Sequence, residues 1–226
     1  SVGYVALGVN TTGSSNTAFG SQALQNNTTG TANIANGSAA MISNITGSYN
    51  VSLGNQAVYQ NTSGSYNVGV GPSTLFQNVT GNANVALGWK ALEGTFGQSM
   101  SSSTALGSWA GKTNTTGNNN LYLGDEADAL AGTYSNSAAI GSHAKVGASN
   151  SIVLGGTGAW AANVGIGTST PWAKLSIQNT YGSQTALFDV ATTTNASGSA
   201  TTSLFRIGAD GSVGIGTTTP GNSAIL

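Results

Sequence analysis

Short segments with an apolar, small, apolar order recur along the first two thirds of the chain, each preceded by a polar residue and followed by glycine. Residues 84–88 read Asn-Val-Ala-Leu-Gly, residues 67–71 Asn-Val-Gly-Val-Gly and residues 50–54 Asn-Val-Ser-Leu-Gly. Alternation with a period of two predicts a short β-strand that buries one face, here the face of the two larger apolar residues. The glycine predicts the turn that ends each strand, because it has no Cβ to clash there.

These segments repeat with a constant 17-residue spacing. Two glycines and one asparagine keep the same register over five units, which composition alone does not produce. A fixed period of this length is typical of a solenoid, in which each unit forms one coil that stacks on the next. The three columns are Gly20, Gly37, Gly54, Gly71 and Gly88; Gly13, Gly30, Gly47, Gly64 and Gly81; and Asn16, Asn33, Asn50, Asn67 and Asn84.

Each unit contains a second short segment and a turn signal after its strand. The second segment is expected to place one more apolar side chain inward, and the Asn-x-Thr/Ser-Gly sequence that follows predicts a corner. A coil therefore consists of strand, corner, second segment and corner. The second segments are residues 22–24, 56–58, 73–75 and 90–92.

The spacing also predicts three irregular coils. The first coil, from Gly8 to Gly20, is five residues short, and two residues are inserted around positions 94–100. The last step, from Gly141 to Gly155, is three residues shorter than the regular one. We expect roughly nine coils in a β-roll or solenoid domain that spans residues 1–155, with irregular coils over 89–155.

The rest of the chain, residues 156–226, has a different pattern. Residues 163–171 read Asn-Val-Gly-Ile-Gly-Thr-Ser-Thr-Pro, and residues 212–220 repeat this as Ser-Val-Gly-Ile-Gly-Thr-Thr-Thr-Pro. Each copy predicts a short strand that runs into a turn fixed by proline. Apolar-alternating runs lie between them, so the sequence predicts a β-rich stalk.

Composition narrows the possible functions. Only 5% of residues are charged, the net charge is −1, and residues 1–89 contain no Asp, Glu, Lys, Arg or His. A nucleic-acid partner is not expected with this charge. The chain has no cysteine, which excludes disulfides and thiolate metal sites. No apolar run approaches the ~20 residues that cross a bilayer, so no membrane insertion is expected.

The segment 137–147, together with Asn-Ser-Ile-Val-Leu-Gly at 150–155, resembles the head repeat of YadA-like trimeric autotransporter adhesins. The two Val-Gly-Ile-Gly-Thr-x-x-Pro motifs resemble stalk units of phage tail fibres. These resemblances imply a left-handed parallel β-roll, three chains per fibre, and attachment to a surface. The 17-residue period departs from the 14-residue repeat of the adhesin heads, and the sequence shows no coiled-coil heptads.

The middle position of each strand is small, which suggests contact between chains. A row of small residues lets a second backbone approach closely, so we expect packing between chains, and the resemblance to trimeric adhesins implies that the assembly is a homotrimer. The alternative is a solvated face. The row consists of Ala18, Ala35, Ser52, Gly69, Ala86, Ala105 and Ala139.

Candidate catalytic and metal-ligating residues are few, and the sequence predicts no enzyme, no cofactor and no metal site. His143 is the only histidine and is expected to be a solvated corner residue. A calcium site at the acidic cluster of residues 125–128 lacks the loop spacing such a site requires. A glycosidase pair of Glu93 and Asp189 would need the fold to join two distant positions.

Two sets of residues are candidates for surface chemistry. Contact with a cell-surface glycan or receptor is predicted near the insertion, with buried packing of the aromatics as the alternative; the candidates are Trp89, Phe96, Trp109 and Tyr122. We also expect Trp89 and Trp109 to lie close together on adjacent coils. Asn-x-Thr/Ser sequences make glycosylation conceivable, although they are also good turn chemistry. These asparagines are Asn10, Asn27, Asn44, Asn61, Asn78 and Asn114.

Together these features predict an all-β, trimeric, parallel β-solenoid with ~17-residue coils, followed by a β-rich stalk. The chain is expected to be a structural subunit of a fibre that is extracellular, on a cell surface or on a virion. The fibre would extend from a surface or mediate attachment to one. The expected partner of the chain is itself, with further end-to-end assembly into a self-polymerising filament as one alternative. An ice-binding solenoid and a polysaccharide-degrading tailspike are the others.

Overall fold

The protein consists of β-strands arranged in two compact units, Ser1–Ala162 and Asn163–Leu226, in the computed structural model. The first unit contains the 17-residue repeats, and the second contains both Val-Gly-Ile-Gly motifs. The residues described by the structure are 1–95, 97, 99–179, 183, 185–193 and 201–216.

Strands of the first unit are two or three residues long, as expected when one strand is one side of a coil. A single 3-10 turn, Gly158–Trp160, follows the last of them. The strands are β1 Thr17–Phe19, β2 Ile34–Asn36, β3 Val51–Leu53, β4 Val68–Val70, β5 Val85–Leu87, β6 Thr104–Leu106, β7 Leu121–Leu123, β8 Asp128–Ala129, β9 Ala138–Ile140, β10 Lys145–Val146 and β11 Ile152–Leu154.

Nine of these strands form one parallel sheet in the order β1-β2-β3-β4-β5-β6-β7-β9-β11. Each strand pairs with its counterpart in the next coil, for example Val51 with Val68 and Leu53 with Val70. β8 and β10 pair in a second parallel sheet. The predicted parallel β-solenoid is therefore confirmed, and the hydrogen bonds of its sheets run from coil to coil.

The buried face of each strand is the opposite of the one that the sequence predicts. The small middle residue is the buried one, and the larger residues on both sides of it point outward. The interior is too thin for large side chains at the strand. A Cβ on Gly69 would lie 2.7 Å from Oγ1 of Thr74 and 2.8 Å from Cγ2 of Val58. The row of small residues thus faces the chain's own core and is not the surface between chains that the sequence suggested.

The second segment fills the core from the opposite wall. It contributes two buried residues to a coil, such as Ala23 with Leu24 and Ala91 with Leu92, rather than the single one predicted. Its backbone alternates into the left-handed region, with φ of 60° at Gln22 and 51° at Leu24. Gln22, the second residue after the strand glycine, is partly exposed, whereas Leu24 is buried.

The first coil is complete, in contrast to the prediction of a short one. Gly3, not Gly8, stacks on Gly20, and Val2 donates its N–H to Ala18 at 2.8 Å. The glycine column therefore begins at Gly3, one full coil before Gly20. The Val-Ala-Leu-Gly sequence at 5–8 lies in the second segment, although the same four residues at 85–88 form strand β5 and its glycine.

The insertion lies where the spacing predicts. Glu93 still occupies a regular position, since its carbonyl accepts the N–H of Gln77 at 3.1 Å. Met100 then takes the place of the corner glycine, because its carbonyl accepts Nδ2 of Asn84 at 2.8 Å. The two extra residues therefore fall between Glu93 and Met100.

Glycine is required in the columns because neighbouring coils approach closely. Gly54 has φ of +141°, and a Cβ there would lie 2.7 Å from the carbonyl carbon and oxygen of Gly71. In the other column, a Cβ on Gly64 would lie 2.3 Å from both the carbonyl oxygen of Gly81 and Oδ1 of Asn61. Any side chain at these positions would push the coils apart.

In the second unit, β12 (Val164–Ile166) pairs in parallel with β13 (Leu175–Ile177). β14 (Phe188–Thr193), β15 (Thr201–Ile207) and β16 (Val213–Ile215) form an antiparallel sheet. Both Val-Gly-Ile segments are therefore strands, as the motifs predict. The proline turn predicted after β16, at residues 217–220, lies outside the described residues.

Candidate functional site

The outer face of the nine-stranded sheet is a mainly apolar surface, interrupted by Thr17, Asn36 and Thr104, which we call the outer sheet face. It arises because the first and third residues of each strand point outward. Eight strand spacings of about 4.8 Å give it a length of about 38 Å. Its apolar members, all partly or fully exposed in the single chain, are Phe19, Ile34, Val51, Leu53, Val68, Val70, Val85, Leu87, Leu106, Leu121, Leu123, Ile140, Ile152 and Leu154.

A second surface lies at the corner that follows the strand glycines, where residues 89, 90, 109, 112, 143 and 160 form what we call the aromatic edge. Trp89 and Trp109 meet edge to face, with ring centroids 5.0 Å apart. The predicted proximity of these two tryptophans is therefore confirmed. Lys90 Nζ lies 4.4 Å and Lys112 Nζ 4.8 Å from the Trp109 ring centroid, so cations hold this ring in place.

At its other end, the aromatic edge contains His143 stacked on Trp160. Their ring centroids are 4.0 Å apart, and the rings are parallel within 3°. The Ser142 hydroxyl and Nδ1 of His143 share a hydrogen bond at 2.8 Å. His143 is therefore a packed residue of the edge rather than the freely solvated side chain that the sequence suggested.

The charges along the edge are paired. Lys90 Nζ lies 3.0 Å from a carboxylate oxygen of Glu93, and Lys112 Nζ lies 3.6 Å from one of Glu126. Each cation thus contacts a tryptophan ring and a carboxylate at once. The edge offers aromatic faces and polar groups without a large local net charge.

The other two predicted contact residues are Tyr122 and Phe96. Tyr122 is fully buried, so its prediction as a ligand contact is wrong. It occupies the strand position that is small in the other coils, and Gly111 leaves room for it: a Cβ there would lie 2.6 Å from Cδ2 of Tyr122. Within the described part of the chain its hydroxyl has no hydrogen-bond partner. Phe96 lies outside the described residues.

The acidic cluster is divided between the surface and the core. Asp128 is buried, and it accepts hydrogen bonds from the Thr113 hydroxyl at 2.6 Å and the Ala129 N–H at 2.9 Å. Lys145 Nζ lies 3.8 Å away. Burial is the main influence and raises the pKa of Asp128, while these hydrogen bonds and Lys145 oppose the rise. This carboxylate is part of the core's structure.

The candidate glycosylation asparagines lie at one corner of the coils, where Asn10, Asn27, Asn44 and Asn61 form a hydrogen-bonded ladder, which we call the first asparagine ladder. Asn78 and Asn114 lie at the same corner and donate to the carbonyls of Gly81 and Gly117 but to no other described residue. Nδ2 of Asn44 donates to Oδ1 of Asn27 at 2.7 Å and to the carbonyl of Gly47 at 2.9 Å. Asn27, Asn44, Asn61, Asn78 and Asn114 are all fully buried. The prediction that these five asparagines carry glycans is therefore wrong for the folded protein, because a buried, hydrogen-bonded amide cannot receive a sugar. Only Asn10 of this set is exposed.

A parallel row, the second asparagine ladder, consists of Asn16, Asn33, Asn50, Asn67 and Asn84. Nδ2 of Asn50 donates to Oδ1 of Asn33 at 3.1 Å and to the carbonyl of Gly64 at 2.9 Å. Oδ1 of Asn50 accepts the backbone N–H of Asn67 at 2.9 Å. The two ladders satisfy buried backbone groups at the corners, where the sheet supplies no partners.

Sequence reasoning missed Lys90, Lys112 and Trp160 as members of the aromatic edge. The spacing contains the signal for Trp160, because Trp109, Glu126, His143 and Trp160 follow one another at 17-residue steps. Glu93 and Asp189, the conceivable glycosidase pair, have other partners. Glu93 pairs with Lys90, and Asp189 accepts the Ser203 hydroxyl at 3.1 Å within the second unit.

Comparisons with family models, with curated proteins and with solved structures give no significant match. Among the described residues no three His, Asp or Glu side chains are grouped as a metal site would require. The same part of the chain contains no helix with the length and apolar character to cross a bilayer.

Proposed function

We propose that the chain is the structural subunit of an extracellular or virion fibre, in which three copies pack along their outer sheet faces. The fibre extends from, or attaches to, a surface. The observation that carries this proposal is the outer sheet face, a strip of partly exposed aliphatic side chains along the solenoid. Monomeric soluble proteins rarely expose contiguous apolar areas above a few hundred Å².

The direction of the strip favours a fibre. Its rows run across the strands and therefore along the solenoid axis, so copies that share it lie lengthwise beside each other. Completing the burial of a half-exposed Val or Leu contributes on the order of 1 kcal/mol per side chain. Each copy has 14 apolar side chains in the outer sheet face, so these contributions add up over the interface. The number of copies, three, rests on the resemblance of the repeats to trimeric adhesin heads.

An extracellular or virion location is supported by the composition. Residues 1–89 contain no lysine or arginine, so this whole stretch offers no site to trypsin-like proteases. Its polar surface is built from Asn, Ser, Thr and Gly instead. A chain that resists such proteases is suited to work outside the cell.

Sedimentation velocity and native mass spectrometry test the assembly directly. We expect a species of three times the 22.2 kDa chain mass at micromolar concentration. Val68→Lys should yield monomers, because it places a charge in the outer sheet face, whereas Asn55→Lys at the exposed corner should leave the trimer intact. A wild-type monomer or dimer would overturn the proposal.

A cross-linking experiment covers the case in which Val68→Lys does not fold. The chain has no cysteine, so a single introduced thiol reports on one position. Leu106→Cys, in the outer sheet face, should give a covalent dimer band under mild oxidation. Asn55→Cys should give none. Equal cross-linking of both variants would contradict the assignment of the interface.

A further inference from the structure

We propose that the aromatic edge is a binding site for a neutral oligosaccharide that lies across several coils. This deepens the proposed fibre function, on which it rests, by naming the class of surface molecule that the fibre contacts. The edge contains two tryptophans that are each about half exposed, Trp89 and Trp160, with paired polar groups between them. Sugar rings present C–H groups on one face and hydroxyls around the rim, which is the chemistry this edge complements.

Trp89 is the first stacking platform. Trp89 is 49% exposed, although its ring meets Trp109 edge to face and Lys90 Nζ lies over it, 5.5 Å from the centroid. These contacts fix the indole orientation before any ligand arrives. A preorganised ring loses little conformational entropy on binding, so more of the contact energy appears as affinity.

Trp160 is the second platform. His143 stacks on one face of the indole, yet Trp160 remains 55% exposed, so the ring is accessible away from His143. The loop that presents it is held by the parallel bridge of Gly156 with Ala161 and by the hydrogen bond from Trp160 N to Thr157 O at 3.2 Å. The backbone therefore positions this ring independently of Trp89.

The platforms lie several coils apart on one corner. Trp89 follows Gly88, and His143 follows Gly141 three strands further along the sheet. Three strand spacings of about 4.8 Å separate these coils by about 14 Å. Trp160 lies beyond His143, so one sugar ring cannot reach both indoles and an oligosaccharide can.

The groups between the platforms favour a neutral ligand. The Lys112–Glu126 pair keeps about a third of each side chain exposed and offers both donors and acceptors to hydroxyl groups. Because each lysine of the edge already has a carboxylate partner, an anionic sugar would have to compete with Glu93 and Glu126. A neutral sugar binds without breaking either pair.

The test uses the full chain in its native assembly state and follows intrinsic tryptophan fluorescence. The probes are neutral hexaoses (cellohexaose, maltohexaose and chitohexaose) and the anionic hexagalacturonate. We expect saturable binding of at least one neutral hexaose. Trp89→Ala and Trp160→Ala should each weaken it roughly ten-fold, and the double variant should abolish it. Trp172→Ala, at a 94% exposed tryptophan of the second unit, should leave affinity unchanged.

Isothermal titration gives the same constants without relying on the tryptophans that are replaced. Absence of binding by all three neutral hexaoses at millimolar concentration would overturn the proposal. So would binding of hexagalacturonate alone, or unchanged affinity in the double variant. Sedimentation of the same samples separates this proposal from the fibre proposal: a trimer without binding refutes only the site, and a monomer that binds refutes only the trimer.

Discussion

Replacing Asn50 by alanine should destabilise the first unit more than its small size suggests. Asn50 is a central member of the second asparagine ladder, and its side chain makes four hydrogen bonds. It donates to Asn33 Oδ1 and to the Gly64 carbonyl, and it accepts the backbone and side-chain N–H groups of Asn67. Alanine removes all four and leaves the surrounding coils in place.

The loss of the four bonds leaves some of their partner groups with another hydrogen bond and one without any described partner. The Gly64 carbonyl still accepts Nδ2 of Asn61 at 2.9 Å, and Nδ2 of Asn67 still donates to Gly81. The backbone N–H of Asn67 has no other described partner, so it becomes a buried, unpaired donor. An orphaned donor costs about 1–3 kcal/mol and each of the three other lost bonds about 0.5–1.5 kcal/mol, which gives a total of about 5 kcal/mol.

The measurement is equilibrium urea unfolding at one fixed protein concentration, followed by far-ultraviolet circular dichroism. Asn55→Ala is the matched control, because Asn55 is exposed and its single bond to Ser38 is 3.5 Å long. Hydrogen exchange adds a local readout, since the Asn67 amide should lose protection in Asn50→Ala. Asn50→Asp should also be destabilised. The second carboxylate oxygen would take the place of Nδ2 and face two other acceptors, the Gly64 carbonyl and Asn33 Oδ1.

The reasoning fails if Asn50→Ala costs less than about 1 kcal/mol and resembles the Asn55 control. It also fails if the Asn67 amide keeps its protection, because the ladder would then not be what satisfies that group. A large loss of stability with retained protection would point to packing, not to hydrogen bonding.

Three further substitutions test other features of the first unit. Gly54→Ala should cost about 3 kcal/mol in unfolding free energy, because its Cβ would meet the Gly71 carbonyl and φ is +141°. Tyr122→Phe should raise the unfolding free energy by about 1 kcal/mol, since it removes a buried hydroxyl that lacks a described partner. Asp128→Asn should flatten the pH dependence of stability. Burial raises the folded-state pKa of Asp128 above its ordinary 3.8, so its contribution is present at low pH and is lost as the pH rises through the folded-state pKa.

Each of these has an outcome that contradicts it. Gly97→Ala shares a positive φ but meets nothing within 4 Å, so equal costs at Gly97 and Gly54 would show that coil contact is not the cause. A destabilised Tyr122→Phe would mean that the hydroxyl has a partner in solution. A pH slope that persists in Asp128→Asn would assign the titration to another group.

The period of the sequence predicts the solenoid and the strand positions, but not which strand face is buried. Alternation identifies two faces, and hydrophobicity alone suggests that Val85 and Leu87 point inward. The volume inside the coil determines which residue points inward. The opposite wall at Ala91 and Leu92 lies too close to the strand for an inward side chain that is not small. The sequence Val-Ala-Leu-Gly at 5–8 shows the same limit: its local pattern is that of β5, and the register set by Gly3 places it in a different part of the coil.

The aromatic edge was partly predictable. Trp89 and Trp109 were expected to meet because they follow strand glycines, and one further step of the repeat from His143 reaches Trp160. The burial of Tyr122 was not predictable from its own neighbourhood. It depends on Gly111, a residue of the second segment, which leaves the volume that other coils fill with Leu or Val.

The continuous second asparagine ladder also makes the number of coils a measure of length. Removal of residues 51–67 would join Asn50 to Val68 and bring the next asparagine, glycine and strand into the vacated places. The rod would become shorter by one strand spacing, about 4.8 Å, with all columns continuous. A deletion that is one residue longer or shorter would instead leave one coil of irregular length at the junction. Such a protein can change its reach only in whole coils, so gain or loss of 17-residue units is the route by which its length can be varied without a new fold.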